Sequence, residues 1–210
     1  MENIKNIIFD YGNVIFTIDF NRTQQAFIDL GITNIEDFFA HKGHDPLFDD
    51  FEKGDISADE FRNGIRRKAN KPELGNQQID EAWNTIFVGV PEGNHELLLR
   101  IKEKYNTFLL SNTNETHFKC FSNYVKNTYG LDDNSSLFTK TYYSHELRMR
   151  KPNANIFQYV LDTNNLKPEE TLFIDDSPQH LNTARELGMH TYLMTYPDTV
   201  QKYFETNGLL

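Results

Sequence analysis

Four short segments of this chain carry residue types that could work together on an anion. The first is Phe9-Asp10-Tyr11-Gly12-Asn13-Val14, where the apolar run Ile7-Ile8-Phe9 ends in one carboxylate and a glycine turn. Asp10 could serve there as a nucleophile or as a metal ligand. The second, Ser111-Asn112-Thr113-Asn114, follows another apolar run. It offers hydroxyl, amide and backbone donors that suit phosphate oxygens at the start of a helix. The third is Lys151, placed by Pro152 in extended backbone, a positive charge for the same anion. The fourth, Asp175-Asp176, sets two acids side by side. Like charges raise each other's pKa, so such a pair is costly without a cation. Mg²⁺ fits, being a hard ion held by a few carboxylates together with water and substrate phosphate.

The elements that must position these residues follow from the apolar pattern. Ile7–Phe9, Thr107–Leu110 and Thr171–Ile174 read as strands, with Thr191–Met194 weaker and Phe138–Tyr143 a further candidate. Three of the runs end in Asp10, in Ser111-Asn112 and in Asp175-Asp176. Ligands of open α/β sheets bind at such carboxyl ends. Continuous apolar strands separated by helices predict an α/β fold, a Rossmann-like parallel sheet with helices on both faces. Helices are predicted over 92–105, with Pro91 in the first turn, over 153–161, and over 181–187 before the stop at Gly188. Residues 20–88 differ, with little strand signal and helical stretches at 24–30, 35–41, 58–68 and 79–87. Ser57 and Glu60 are spaced as a capping box. The division predicted is a core of residues 1–18 and 90–210 with a helical insertion over 19–89.

Composition narrows the function classes. A chain of 210 residues, 38% hydrophobic and 25% charged, can bury a core and reads as globular. One cysteine, Cys120, excludes an internal disulfide and suits a reducing compartment. The start shows no signal peptide, and no run approaches the roughly 18 apolar residues of a membrane span. A cytoplasmic protein with no membrane partner is expected. The net charge of −10 argues against nucleic acid as a partner. It permits a small anion, because a site can be locally positive in an acidic protein.

Taken in order, Phe-Asp-Tyr-Gly-Asn-Val at 9–14, Leu-Leu-Ser-Asn at 109–112, Arg-Lys-Pro at 150–152 and Phe-Ile-Asp-Asp-Ser at 173–177 resemble the haloacid dehalogenase-like (HAD) hydrolase superfamily. The insertion lies where members with a helical cap carry it. The opening motif, Asp19-Phe20-Asn21-Arg22 and the Gly54-Asp55-Ile56-Ser57 turn are most similar to bacterial α-glucose-1-phosphate phosphatases of that superfamily. The resemblance implies a Mg²⁺-dependent phosphatase of a small phosphorylated metabolite, a sugar phosphate such as glucose-1-phosphate, working through an aspartyl-phosphate. It implies Asp10 as nucleophile, Ser111 and Asn112 as ligands of the phosphoryl oxygens, and Lys151 as the charge that neutralises phosphate and orients Asp10. Mg²⁺ would be held by Asp10, the backbone carbonyl of Gly12 and Asp176, with Asp175 as a ligand or behind one.

Most phosphatases of the superfamily carry an aspartate where Gly12 stands, as general acid for the leaving group. Its loss is expected to slow turnover by roughly 10²–10⁴-fold, and least for a good leaving group such as an anomeric oxygen. Asp19 is the candidate substitute; the alternative is that it caps the chain before Asn21. His117, one turn beyond Ser111-Asn112, is a candidate substrate contact, with a packed ring as the alternative. His180 could back the metal loop or lie on a helix surface. His41, His44, Asp45 and Asp49 match no zinc signature. Phe38, Phe39, Phe48, Phe51 and Trp83 read as the insertion's core, and Tyr11 points away from the chemistry. Other readings are a metal-independent dehalogenase, disfavoured by Asp175-Asp176, a phosphomutase, disfavoured by Gly12, and a catalytically weak binding or regulatory protein on the same scaffold.

Overall fold

The computed structural model describes residues 3–37, 39–40 and 43–210. The chain opens with β1 (Asn6–Phe9), β2 (Thr17–Ile18), α1 (Phe20–Asp29), β3 (Phe39–Ala40), β4 (Gly43–His44) and α2 (Pro46–Glu52). It continues through α3 (Ala58–Ala69), α4 (Asn76–Asn84), β5 (Phe87–Gly89), α5 (Asn94–Lys102), β6 (Asn106–Ser111) and α6 (Glu115–Tyr129). It closes with β7 (Lys140–Tyr143), α7 (Ser144–Leu147), α8 (Ala154–Thr163), β8 (Thr171–Asp175), α9 (Pro178–Glu186), β9 (His190–Leu193) and α10 (Val200–Thr206).

Five strands form one parallel sheet in the order β7-β6-β1-β8-β9. The two-residue period of a strand decides its layers. Ile7 and Phe9 of β1 face a cluster with Leu97, Leu98 and Ile101 of α5, Phe121 of α6 and Phe204 of α10. Ile8 faces the other side, with Ile156, Phe157 and Val160 of α8 and Leu181 and Ala184 of α9. The predicted parallel sheet with helices on both faces is therefore the observed core. Because β1 is central and the chain leaves it first toward β6 and later returns to β8, its carboxyl end is the switch point of the sheet.

Between β1 and β6 the chain forms a helical block with its own core of Phe27, Ile35, Phe48, Phe51, Phe61, Ile79 and Trp83. Phe51 stacks on Phe61 at 4.3 Å between centroids, and Phe61 lies 5.2 Å from Trp83. The two passages joining the block to the sheet pair as an antiparallel ribbon of β2 and β5. The Ser57–Glu60 capping box forms at the start of α3.

The helix predicted over 35–41 is not formed. A 3₁₀ turn covers Ile35–Asp37, and Phe39 then pairs with His44 in a short hairpin. The Phe39 ring lies 5.4 Å from Trp83, so aromatic packing overrides the local helical pattern. Phe38 and His41 lie outside the described residues, as does the His44 side chain. The helix predicted over 79–87 instead begins at Asn76 and ends at Asn84, and Phe87 enters β5. That predicted from 92 starts at Asn94, after Gly93 at φ 81°. α2 was not anticipated; Asp45 caps it through the Leu47 N–H. No helix among the described residues is long and apolar enough to cross a membrane.

Candidate active site

The site grows out of three neighbouring strand ends. Asp10 follows β1 and its backbone N–H donates to Ile174 O at 2.9 Å, which carries the carboxylate out beside Asp175 at the end of β8. The Lys151 ammonium lies between them, 2.6 Å from Asp10 Oδ1 and 2.7 Å from Asp175 Oδ2, with no solvent exposure. Asp175 Oδ1 also accepts the Ser177 N–H at 2.8 Å and His180 Nδ1 at 2.9 Å. Asp176 Oδ2 accepts from Asn13 Nδ2 at 3.0 Å, and Asn13 Oδ1 accepts the Ile18 N–H at 3.1 Å. Asn13 does this from a left-handed conformation, φ 54°, which asparagine tolerates better than most residues. One side chain thus ties the loop after β1 both to the acid pair and to β2.

Charge is unbalanced at this point. Burial, with Asp175 and Asp176 nearby, pushes the Asp10 carboxyl up to about 8 against the pull of Lys151. Burial also raises Asp176. Asp175, although burial works the other way, is held below the usual carboxylate range by Lys151 and His180. Burial works against the Lys151 charge too, but Asp10 and Asp175 hold its pKa above that of an ordinary lysine. Three carboxylates face one ammonium, an excess of two negative charges when all are ionised. Asp10, Asp175 and Asp176 each place an oxygen within 4.8 Å of the others, the one such acidic group among the described residues. A divalent cation fits both the excess charge and the all-oxygen donor set. Asp10 and Asp176 each keep one carboxylate oxygen that accepts no hydrogen bond from a described residue.

The structure brings Asp10, Lys151, Asp175 and Asp176 together and reassigns several other candidates. Asn112 was expected, with Ser111, to bind phosphoryl oxygens, and its side chain is committed within the protein. Its amide is matched to the main chain of Lys151, Nδ2 donating to Lys151 O and Oδ1 accepting the Lys151 N–H, each at 2.9 Å. An amide and a peptide group offer complementary donor and acceptor, which is why this residue type suits the task. The Ser111 hydroxyl reaches only Asn112 O, at 3.5 Å, which leaves it able to meet a ligand.

His117 does not meet the expectation of a substrate contact. Its Nε2 hydrogen-bonds Trp83 O at 3.2 Å, its Nδ1 lies 3.2 Å from Asn114 Nδ2, and its ring stacks on Trp83 at 4.5 Å. Burial pulls the imidazole down to about 3, so it is neutral. It pins the helical block to α6. Asp19 caps α1, Oδ1 accepting the Asn21 N–H at 2.9 Å. A Cβ at Gly12 would stand 2.8 Å from Ile18 Cδ1, so Ile18 occupies the space a side chain there would need. Tyr11 turns into the core, as predicted, and donates to Asn134 Oδ1 at 3.4 Å.

Residues that reasoning from sequence missed include Asn13, Ser144, Arg150 and Glu52. The signals for Asn13 and Arg150 were their places in the first and third motifs; Ser144 and Glu52 had none, because their partners lie far along the chain. The open surface grooves run along the seam of α4 and α6, past Asp80, Asn84 and Cys120, and include none of the strand-end acids in their linings. The acids lie beneath the helical block.

A carboxylate at the switch point of a parallel sheet, bridged by a buried lysine to an acid pair, defines an α/β enzyme that handles an anion with a divalent cation. Comparison with known proteins agrees. The family model for haloacid dehalogenase-like hydrolases matches residues 92–194. A D-ribitol-5-phosphate phosphatase of Bacteroides thetaiotaomicron is 32% identical over 191 residues, covering 90% of this chain and 91% of that one. A HAD family enzyme of the same organism, crystallised as an aspartate-to-alanine mutant with magnesium and inorganic phosphate, superposes with a TM-score of 0.90 at 37% identity, over 96% of this chain and 98% of that one. A predicted HAD-like family hydrolase of Porphyromonas gingivalis gives a TM-score of 0.85 at 32% identity, over 98% and 97%. The chain belongs to the haloacid dehalogenase-like hydrolase family.

Proposed function

We propose that this chain is a Mg²⁺-dependent phosphatase of a small phosphorylated metabolite, with Asp10 as its nucleophile. The observation that carries the reading is the Lys151 bridge between Asp10 and Asp175 in a centre where three carboxylates face one ammonium. Lys151 keeps one Asp10 oxygen fixed at 2.6 Å and so presents the other toward phosphorus. The Asp10 carboxylate attacks, a P–O bond to Asp10 forms, and the P–O bond to the leaving alcohol breaks. Water then cleaves the aspartyl-phosphate, returning the carboxylate and inorganic phosphate. Dividing hydrolysis into two displacements is the advantage of covalent catalysis. Mg²⁺, held by Asp10, Asp176 and the Gly12 carbonyl, supplies the charge that lets an anionic nucleophile meet an anionic phosphate. Ser111 receives a phosphoryl oxygen. Asp175 serves from behind, since Lys151, Ser177 and His180 already occupy it.

We assign residues 19–89 as the cap that sets specificity and the substrate as a sugar or polyol phosphate. Glucose-1-phosphate follows from the sequence resemblance, and D-ribitol 5-phosphate from the phosphatase relative. Asp19, with one oxygen on the Asn21 N–H, is our assignment for the leaving-group proton. Asp19→Asn tests it, and a change in turnover below about threefold rejects it. The test of the whole reading is a phosphate-ester panel with Mg²⁺, with EDTA, and with Asp10→Asn. The expected outcome is phosphate release from at least one sugar or polyol phosphate, abolished by EDTA and by Asp10→Asn. No release from any ester sinks the phosphatase assignment, and release indifferent to EDTA sinks the metal.

A further inference from the structure

The C-terminal end of α2 comes down on the core beside Lys151. Arg150 donates from Nε and Nη2 to Glu52 Oε2 at 3.1 and 2.7 Å, and its Nη1 lies 2.8 Å from Asp49 Oδ1. Arg150 and Glu52 side chains are each only 18% exposed, so this is a sheltered, charge-assisted pair rather than a solvated surface one. One residue further on is Lys151, whose ammonium holds Asp10.

A second contact reaches the other side of the site. Ser144 is fully buried and its Oγ accepts the Thr113 N–H at 2.8 Å. Two carbonyls compete for its single proton, Glu52 O at 2.6 Å and Thr113 O at 2.9 Å. Thr113 follows Asn112, the residue clamped to the Lys151 main chain. A third contact is made by Gly54, at φ 69°, against the His145 carbonyl, an approach that leaves no room for a Cβ. One helix end therefore bears on both loops that fix the lysine.

We propose that Arg150 is a positioning residue for the hydrolysis: its grip on Asp49 and Glu52, with Ser144 beside it, registers Lys151 against Asp10. The proposal rests on the phosphatase reading. Misplacing a reacting group by about 1 Å costs on the order of 10²-fold in rate, which sets the scale of the effect.

The experiment is a double-mutant cycle in steady-state hydrolysis of p-nitrophenyl phosphate with Mg²⁺, using the full chain. Arg150→Gln is expected to lower kcat by about 10- to 100-fold with KM within about threefold of the unsubstituted chain. Glu52→Gln is expected to lower kcat less, and the double variant to be no worse than Arg150→Gln, because both remove one interaction. Arg150→Lys, which keeps charge but loses the fork, is expected to recover part of the loss. Thermal melting of each variant separates this effect from failure to fold. The proposal is overturned if kcat stays within about twofold for Arg150→Gln, if the single losses multiply in the double variant, or if the whole effect lies in KM. An unsubstituted chain with no activity on any ester of the panel overturns the phosphatase reading itself, a result distinct from active enzyme with unaffected variants.

Discussion

At the strand ends, Lys151 is buried between two carboxylates in a centre with more negative than positive charge; in the helical block above, Trp83 is buried among Phe39, Phe48 and Phe61 with charge kept to the rim. The two regions resist change for different reasons. Removing one partner from a buried ion cluster leaves an uncompensated charge, so each member constrains all the others. An aromatic core asks only for shape and volume, and it tolerates exchange among apolar residues that preserve them. The ion cluster at the strand ends is thereby held to its residue types, while the aromatic core of the helical block can diverge. His117 and Arg150 stand where the two principles meet, one packed and neutral, the other ionic.

That contrast can be broken or sharpened by experiment. The largest effect is expected from Lys151→Met, which strips Asp10 and Asp175 of their shared cation: a loss of roughly 3–5 kcal/mol in urea denaturation, partly restored by Mg²⁺. Next, Trp83→Ala is expected to cost about 3–5 kcal/mol, with no restoration by Mg²⁺. Equal responses of the two variants to Mg²⁺ would erase the distinction between the regions.

A smaller effect concerns pH. Burial holds His117 at about 3 in the fold against 6.5 when unfolded, so below 6.5 the unfolded chain binds the additional proton. The stability this group contributes is complete above pH 6.5 and is lost as pH falls toward 3, a loss of a few kcal/mol across that window. His117→Gln should flatten this part of the stability profile, measured as denaturation midpoints between pH 7 and 4. The smallest effect is expected from Ser57→Ala, about 1 kcal/mol from the capping box of α3, read as a modest fall in melting temperature with turnover unchanged.

Much of the fold was legible because its signals are local. The strand runs through Ile8, Leu109 and Phe173 are apolar on both faces, which only a doubly covered sheet requires, and their terminal residues named the site. Phe39 was read rightly as core with Phe48 and Trp83, but its backbone was misread as helical, because packing against those rings outweighed a helical pattern of a few residues. Asn112 was placed at the site, but the pairing of its side chain with a peptide group 39 residues away could not be foreseen from its neighbours in the chain. His117 failed for a similar reason, since nothing near it in the chain foretells Trp83 stacked on its ring.

The sequence by itself determined the parallel sheet, the helical insertion and the identity of the four residues that carry charge at the strand ends. These follow from hydrophobic period and residue type, which act over a few neighbours. Only the tertiary structure decided that Lys151 binds two aspartates at once, that the Asn112 amide pairs with its main chain, that Arg150 pairs with Glu52, and that Ile18 fills the space beside Gly12. A buried charge takes its properties from every group within a few ångströms, and here those groups come from segments up to 141 residues apart.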